Sequence, residues 1–119
     1  MCVRRRVVVT GLGAISPIGN SKKDFWNAVL QGKSGTAKLA AFDPALFTTQ
    51  IAAEVKGFEP TRYFSSKEVR HMDRFVQFAL VAAKEAMGDS GLDLNKINRN
   101  RCGVLIGSVI GGLHTFEEQ

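Results

Sequence analysis

Cysteine and proline are scarce in this 119-residue chain. Its two cysteines, Cys2 and Cys102, and its three prolines are too few to staple or punctuate a small secreted scaffold. There is no CxxC spacing, which removes a dithiol redox motif and fits a reducing compartment. Long apolar runs are missing as well. None approaches the roughly 20 residues a spanning helix needs, and Val7 to Val9 behind three arginines is too short for a signal-peptide core. The expected location is cytoplasmic, with an organelle left open. What remains is 45% hydrophobic and 23% charged, the balance of a globular domain rather than of a disordered chain. The formal net charge of +5 suits an acidic partner but does not choose between nucleic acid, membrane surface and protein.

Along the chain, Val7-Val8-Val9 reads as a strand covered on both faces, ended by Gly11 and Gly13. Ser21 with Asp24 has capping-box spacing, and Phe25, Trp26, Val29 and Leu30 form the stripe of a first helix that stops at Gly32. Residues 34–44 read as loop, and Gln50 to Lys56 as a half-exposed strand of period 2. Ser65 with Glu68 opens a second helix. Phe75, Phe78, Ala79, Ala82, Ala83, Ala86 and Met87 continue it at helical spacing, with Gly91 as its left-handed cap. Its alanines thin one face, so that another backbone can approach closely. Cys102 to Val109 is a second buried-strand candidate, and Leu113 to Gln119 starts like a helix. Two strands apolar on both faces need helices above and below, so the chain reads as less than a whole folding unit.

The glycine turn could hold a phosphate, but its spacing argues for a plain strand-to-helix turn. In a dinucleotide fingerprint the sixth position is glycine, and here it is Ser16 followed by Pro17; no acid lies between Phe25 and Gly35 to bind a ribose. No Gly-Lys-Ser/Thr follows for a Walker loop. A nucleotide-binding α/β module is therefore the weakest of the functional readings.

VVVTGLGAISPIGN, KSG at Lys33 to Gly35, FDP at Phe42 to Pro44, MDRF at Met72 to Phe75, DSGL at Asp89 to Leu92 and GVLIGSVIGG at Gly103 to Gly112 run in order along the whole chain. Together they resemble the elongating β-ketoacyl-acyl carrier protein synthases, type II in particular. The resemblance implies an α/β thiolase-like fold, a mixed sheet covered by helices, in which residues 1–119 are the N-terminal segment of the first of two halves, incomplete as given. It also implies a homodimer that condenses an acyl group, held on a cysteine, with malonyl-acyl carrier protein and releases carbon dioxide. The family's nucleophile sits in a TAC-type elbow and is helped by two histidines and a lysine. Neither cysteine here matches that elbow, and His71 and His114 match neither catalytic histidine, so this chain alone is expected to be inactive. No cofactor is implied. A homologue without the nucleophile, pairing with an active subunit in a polyketide system, is the alternative.

The same resemblance places Lys67, Arg70 and His71 where family members present a basic patch to the acidic carrier protein, and 67, 70, 71 and 74 share one face of a continuous helix. Cations at a helix start oppose the macrodipole, which suits a functional patch; the bland alternative is a solvated charged face. With His71 in it, the patch should weaken as pH rises through the histidine range. Ile110 matches a position that lines and gates the acyl pocket, although core packing would also explain an isoleucine. Val109 stands where the family's GSGxGG has glycine, and its side chain would crowd or shorten the pocket. Cys102 reads as a buried small hydrophobe, with nothing near it to lower its pKa. His114 has no partner at metal spacing, so no metal is assigned. Phe75 and Phe78 read as helix core. Arg4 to Arg6 and Arg99 to Arg101 lack interleaved aromatics, which argues against nucleic acid.

Overall fold

The computed structural model describes residues 5–118. Cys2, Arg4 and Gln119 therefore lie outside the described residues, as does the side chain of His114. Among the described residues four α-helices and one hairpin follow one another, with short 3-10 turns at Pro60–Arg62 and Arg99–Arg101: α1 (Lys22–Leu30), β1 (Thr36–Lys38), β2 (Ile51–Ala53), α2 (Ser66–His71), α3 (Arg74–Ser90) and α4 (Leu113–Glu118).

Local chemistry sets the helix ends. Ser21 caps α1 by accepting the Asp24 N–H at 3.1 Å, and Gly32 leaves the helix at φ +64. Ser65 and Glu68 form the expected capping box on α2: the Glu68 N–H donates to the Ser65 hydroxyl at 3.3 Å, and the Ser65 N–H donates back to the carboxylate at 2.8 Å. The Ser65 hydroxyl, donating to the Glu68 carboxylate at 2.7 Å, and then the Ser65 N–H hold that carboxyl below its ordinary range. Gly91 ends α3 in the left-handed region.

The single long helix expected from Ser65 to Gly91 is two helices. Met72 is extended (φ −125, ψ 124), and Asp73 starts α3 afresh. Buried Gln77 accounts for the corner. Its side-chain amide donates to the Met72 carbonyl at 2.9 Å and to the Val69 carbonyl at 3.4 Å, satisfying the oxygens that the break exposes. Arg74 therefore leaves the helix that carries Lys67, Arg70 and His71.

The two expected buried strands need a second correction. Residues 5–15 and 102–109 join no ladder, apart from the Ser16–Gly19 bridge that follows the first segment, and Val7 (89%), Val104 (89%) and Leu105 (99%) are largely exposed. A strand apolar on both faces is held only between hydrogen-bonded neighbours and under helices, and among the described residues neither segment has a strand partner, only the glycine turn at the end of the first lying against a helix. Cys102 is likewise exposed rather than buried, its thiol directed to the Asn98 carbonyl. The strand expected over Gln50 to Lys56 is shorter, and it pairs antiparallel with β1, which lies inside the expected loop, in the register Thr36↔Ala53, Ala37↔Ala52, Lys38↔Ile51.

Burial is correspondingly sparse. Among the described residues Ala28, Phe58 and Val81 are the buried hydrophobic core, with Pro44 also buried, and Phe58 lies edge-on to Phe78 at 4.9 Å and stacked on Tyr63 at 5.7 Å. Phe78 is thus half-buried against Phe58, whereas Phe75, read with it as helix core, is exposed because among the described residues its face of the helix is met only by the Gly111 backbone. The radius of gyration is 18.0 Å, against about 13.5 Å for a closed domain of this length. The accessible surface is 10356 Å², against about 6300 Å² for a compact protein of this mass. Much apolar surface is thus left uncovered in this arrangement.

The thin alanine face of α3 does receive another backbone. The glycine turn lies against it so closely that a Cβ at Gly13 would fall on the Ala82 carbonyl, and one at Gly11 on that of Ala86. Two carboxylates one helical turn apart on α3 hold the turn there. Glu85 accepts the Ala14 N–H at 2.9 Å and the Lys22 N–H at 2.8 and 3.1 Å; Asp89 accepts the Leu12 N–H at 3.0 Å and pairs with the Lys22 ammonium. The Leu12 and Ala14 N–H groups of the turn are thus already taken by carboxylates, whose negative charge disfavours a phosphate there.

The Lys22 hydrogen bond first, then that from Leu12, holds the Asp89 carboxyl below its ordinary value of 3.8. A depressed folded-state pKa contributes stability above the unfolded value and loses it as pH falls through the folded one. Acid unfolding of wild type should therefore be steeper below pH 3.8 than that of Asp89→Asn, and parallel curves would remove this contribution.

Candidate functional site

The site is built around the corner between α2 and α3. α2 is short and capped, and it presents Lys67, Arg70 and His71 to solvent while Val69 turns inward. The Arg70 Nε donates to the Ser66 carbonyl at 3.3 Å, which steadies the stem and leaves the rest of the guanidinium outward. All three residues lie on α2 and are exposed. Arg74 is not with them: its guanidinium donates to the Val55 carbonyl at 2.9 Å and lies 5.2 Å from the Phe78 ring centre. It ties α3 to the segment after β2.

Arg70 and His71 line an open cleft with Met72, Asp73 and Thr115. Asp73 on that cleft is also met by Gly112, at the end of the loop 107–112. Val109 (100%) and Ile110 (74%) are exposed there, so neither is core packing in this structure. The loop is seated from its glycine end: a Cβ on Gly111 would come within 2.5 Å of the Phe75 ring, and one on Gly112 (φ +73) within 2.5 Å of an Asp73 oxygen. Phe75, read as helix core, is thus the ring on which Gly111 rests.

Sequence reasoning missed Asp73. It begins α3, yet its side chain makes no capping bond; its carboxylate accepts the Thr115 hydroxyl on α4 instead. A residue type favoured at helix starts, placed before Phe75, was the available signal. Glu85 and Asp89 were missed too, because their partners lie 63 to 77 residues back in the chain.

No helix among the described residues is long and apolar enough to cross a membrane. The chain is 50% identical over 115 residues to the 3-oxoacyl-[acyl-carrier-protein] synthase 2 of Coxiella burnetii, and 47% identical over 114 residues to that of Vibrio cholerae. It is covered for 97% and 96% of its length in these matches and spans 28% of each relative. Its structure superposes on the ishigamide ketosynthase/chain length factor with a TM-score of 0.70 at 37% identity, covering 80% of this chain and 24% of that one; the architecture is thus a partial α/β fold of the thiolase-like kind. Residues 4–119 match the family described as Beta-ketoacyl synthase, N-terminal domain, and the chain belongs to that family.

Proposed function

We propose that these residues are the N-terminal segment of a 3-oxoacyl-acyl carrier protein synthase of fatty-acid elongation, supplying a carrier-protein docking helix and one wall of the acyl pocket. The 50% identity to a synthase of that name over 97% of the chain carries the reading. In the reaction, malonyl-acyl carrier protein loses carbon dioxide, and the carbanion left behind attacks the carbonyl of an acyl group held as a thioester on the enzyme. The C–C bond forms as the enzyme's C–S bond breaks, giving the 3-oxoacyl product and free thiolate. None of the catalytic groups falls within residues 1–119 on this reading, so the 119-residue chain is inactive alone and acts within a homodimer of the full-length protein. The surface left open along 5–15 and 102–109 is compatible with cover from the rest of that assembly.

Lys67, Arg70 and His71 serve as the docking cations. Opposite charge on the carrier protein would raise the rate of encounter, and the effect would be screened by salt. With the full-length protein, acyl- and malonyl-carrier protein should yield carbon dioxide and 3-oxoacyl product in equal amounts. Arg70→Glu should lower kcat/KM for carrier-borne substrate about tenfold, roughly 1.4 kcal/mol. An unchanged kcat/KM would show that docking lies elsewhere. A nucleophile-less partner subunit is the second reading, favoured by the likeness to a ketosynthase/chain length factor; a protein that forms no product by itself yet pairs with an active subunit would establish it.

A further inference from the structure

We propose that Asp73 is a positioning residue, a latch through which carrier-protein docking on α2 sets the position of the 107–112 loop and so selects the acyl chain. This rests on the reading above, in which α2 docks the carrier and Val109 and Ile110 wall the pocket. Four observations lead to it. α2 is fastened to α3 by the Gln77 amide on the Met72 and Val69 carbonyls, so a load on α2 reaches Met72 and Asp73 directly. The backbone of Asp73 belongs to α3, its carbonyl accepting the Val76 and Gln77 N–H groups at 3.0 and 3.1 Å. Its carboxylate is withheld from capping and spent on Thr115 of α4, beyond the loop. Gly111 and Gly112 leave no room for a Cβ between the loop and Phe75 or Asp73.

Ser21 and Ser65, the residues that start α1 and α2, both cap with their side chains. Asp73 forgoes a bond of that kind, so its orientation is explained by what lies across the cleft rather than by its own helix. The arrangement joins α2, the start of α3 and the start of α4 by two hydrogen-bonded links. Val109 and Ile110, whose side chains are largely free, follow the glycine end of their loop. Arg70 and His71 line the same cleft as Asp73 and Thr115, so an acidic group pairing with the cations arrives beside the latch.

The test uses the full-length protein. Asp73→Ala and Thr115→Val break the link, whereas Asp73→Asn and Thr115→Ser keep an acceptor and a donor. The quantity read is the ratio of kcat/KM for a long acyl group to that for a short one, with the acyl group delivered on carrier protein or on pantetheine alone. With carrier-borne substrates, Asp73→Ala and Thr115→Val should each shift the ratio about fivefold, and the double variant no further. Asp73→Asn and Thr115→Ser should stay within about twofold of wild type. With pantetheine thioesters no variant should shift the ratio, because nothing loads α2. Equal shifts with both kinds of substrate would make Asp73 an ordinary support of the wall and overturn the latch, as would additive shifts. Should Asp73→Ala fail to fold, Thr115→Val, at an exposed position, carries the comparison. Unshifted ratios with normal carrier turnover sink the latch alone; a wild type that neither binds nor uses carrier protein sinks the docking reading with it.

Discussion

Glu85→Ala is expected to cost about 3 kcal/mol, because one carboxylate serves two backbone donors and a helix start together. Its two oxygens take the Ala14 N–H and, twice over, the Lys22 N–H, and Lys22 is the first residue of α1. Charge-assisted hydrogen bonds contribute about 1.5–3 kcal/mol each when buried, and a carboxylate at a helix N-terminus adds about 0.3–1 kcal/mol. Both bonds are half-buried here, so freed N–H groups regain some water and the sum is discounted to the figure above. Glu85→Gln keeps one good acceptor without the charge and should lose about half as much. Hydrogen exchange of the full-length protein reads this locally: the Ala14 and Lys22 amides should exchange roughly a hundredfold faster in the alanine variant. Unchanged protection at both would mean that the glycine turn is held by something other than this carboxylate.

Gly13→Val should do still more damage, about 4 kcal/mol, because the new side chain meets backbone and nothing can swing aside. A Cβ at Gly13 falls on the Ala82 carbonyl oxygen, with the Ala82 carbon and the Ala86 nitrogen both at 2.9 Å. Overpacking of a side-chain core costs about 1–3 kcal/mol because side chains can adjust, but here turn and helix must separate as bodies. Separation would also stretch the bonds from Leu12 and Ala14 to Asp89 and Glu85. Gly88 is the matching control. It is exposed within the same helix and a Cβ there meets nothing within 4 Å, so Gly88→Ala should stabilise by about 0.5–1 kcal/mol through helix propensity. Thermal unfolding of the two variants should therefore move in opposite directions. A Gly13→Val protein that melts with wild type would show that the turn does not seat on α3.

These features divide what could be read in the sequence from what could not. The caps of α1 and α2, the left-handed Gly91 and the thin alanine face were legible because each depends on residues within a turn or two of one another. The break at Met72 was not legible, because no proline or glycine marks it; a buried amide five residues on makes it tolerable. Strand pairing was misjudged because Val7 to Val9 and Val104 to Ile106 carry only a preference for extended backbone, which does not by itself supply a partner strand. The family, and with it the proposal that α2 docks the carrier protein, came from motifs in order rather than from any single residue. Nothing local could have shown that Asp73 would reach for Thr115.

The clamp on the glycine turn also sets a clock. Its donors lie at the beginning of the chain, and its last acceptor, Asp89, follows Leu12 by 77 residues. At a synthesis rate of about 5–20 residues per second, Leu12 is polymerised some 4–15 s before Asp89, and the clamp cannot close within that time. Val7, Val8 and Val9 stay largely exposed even with the clamp closed, so this β-forming segment is the kind of sequence that chaperones shield and that neighbouring nascent chains on one messenger can pair with.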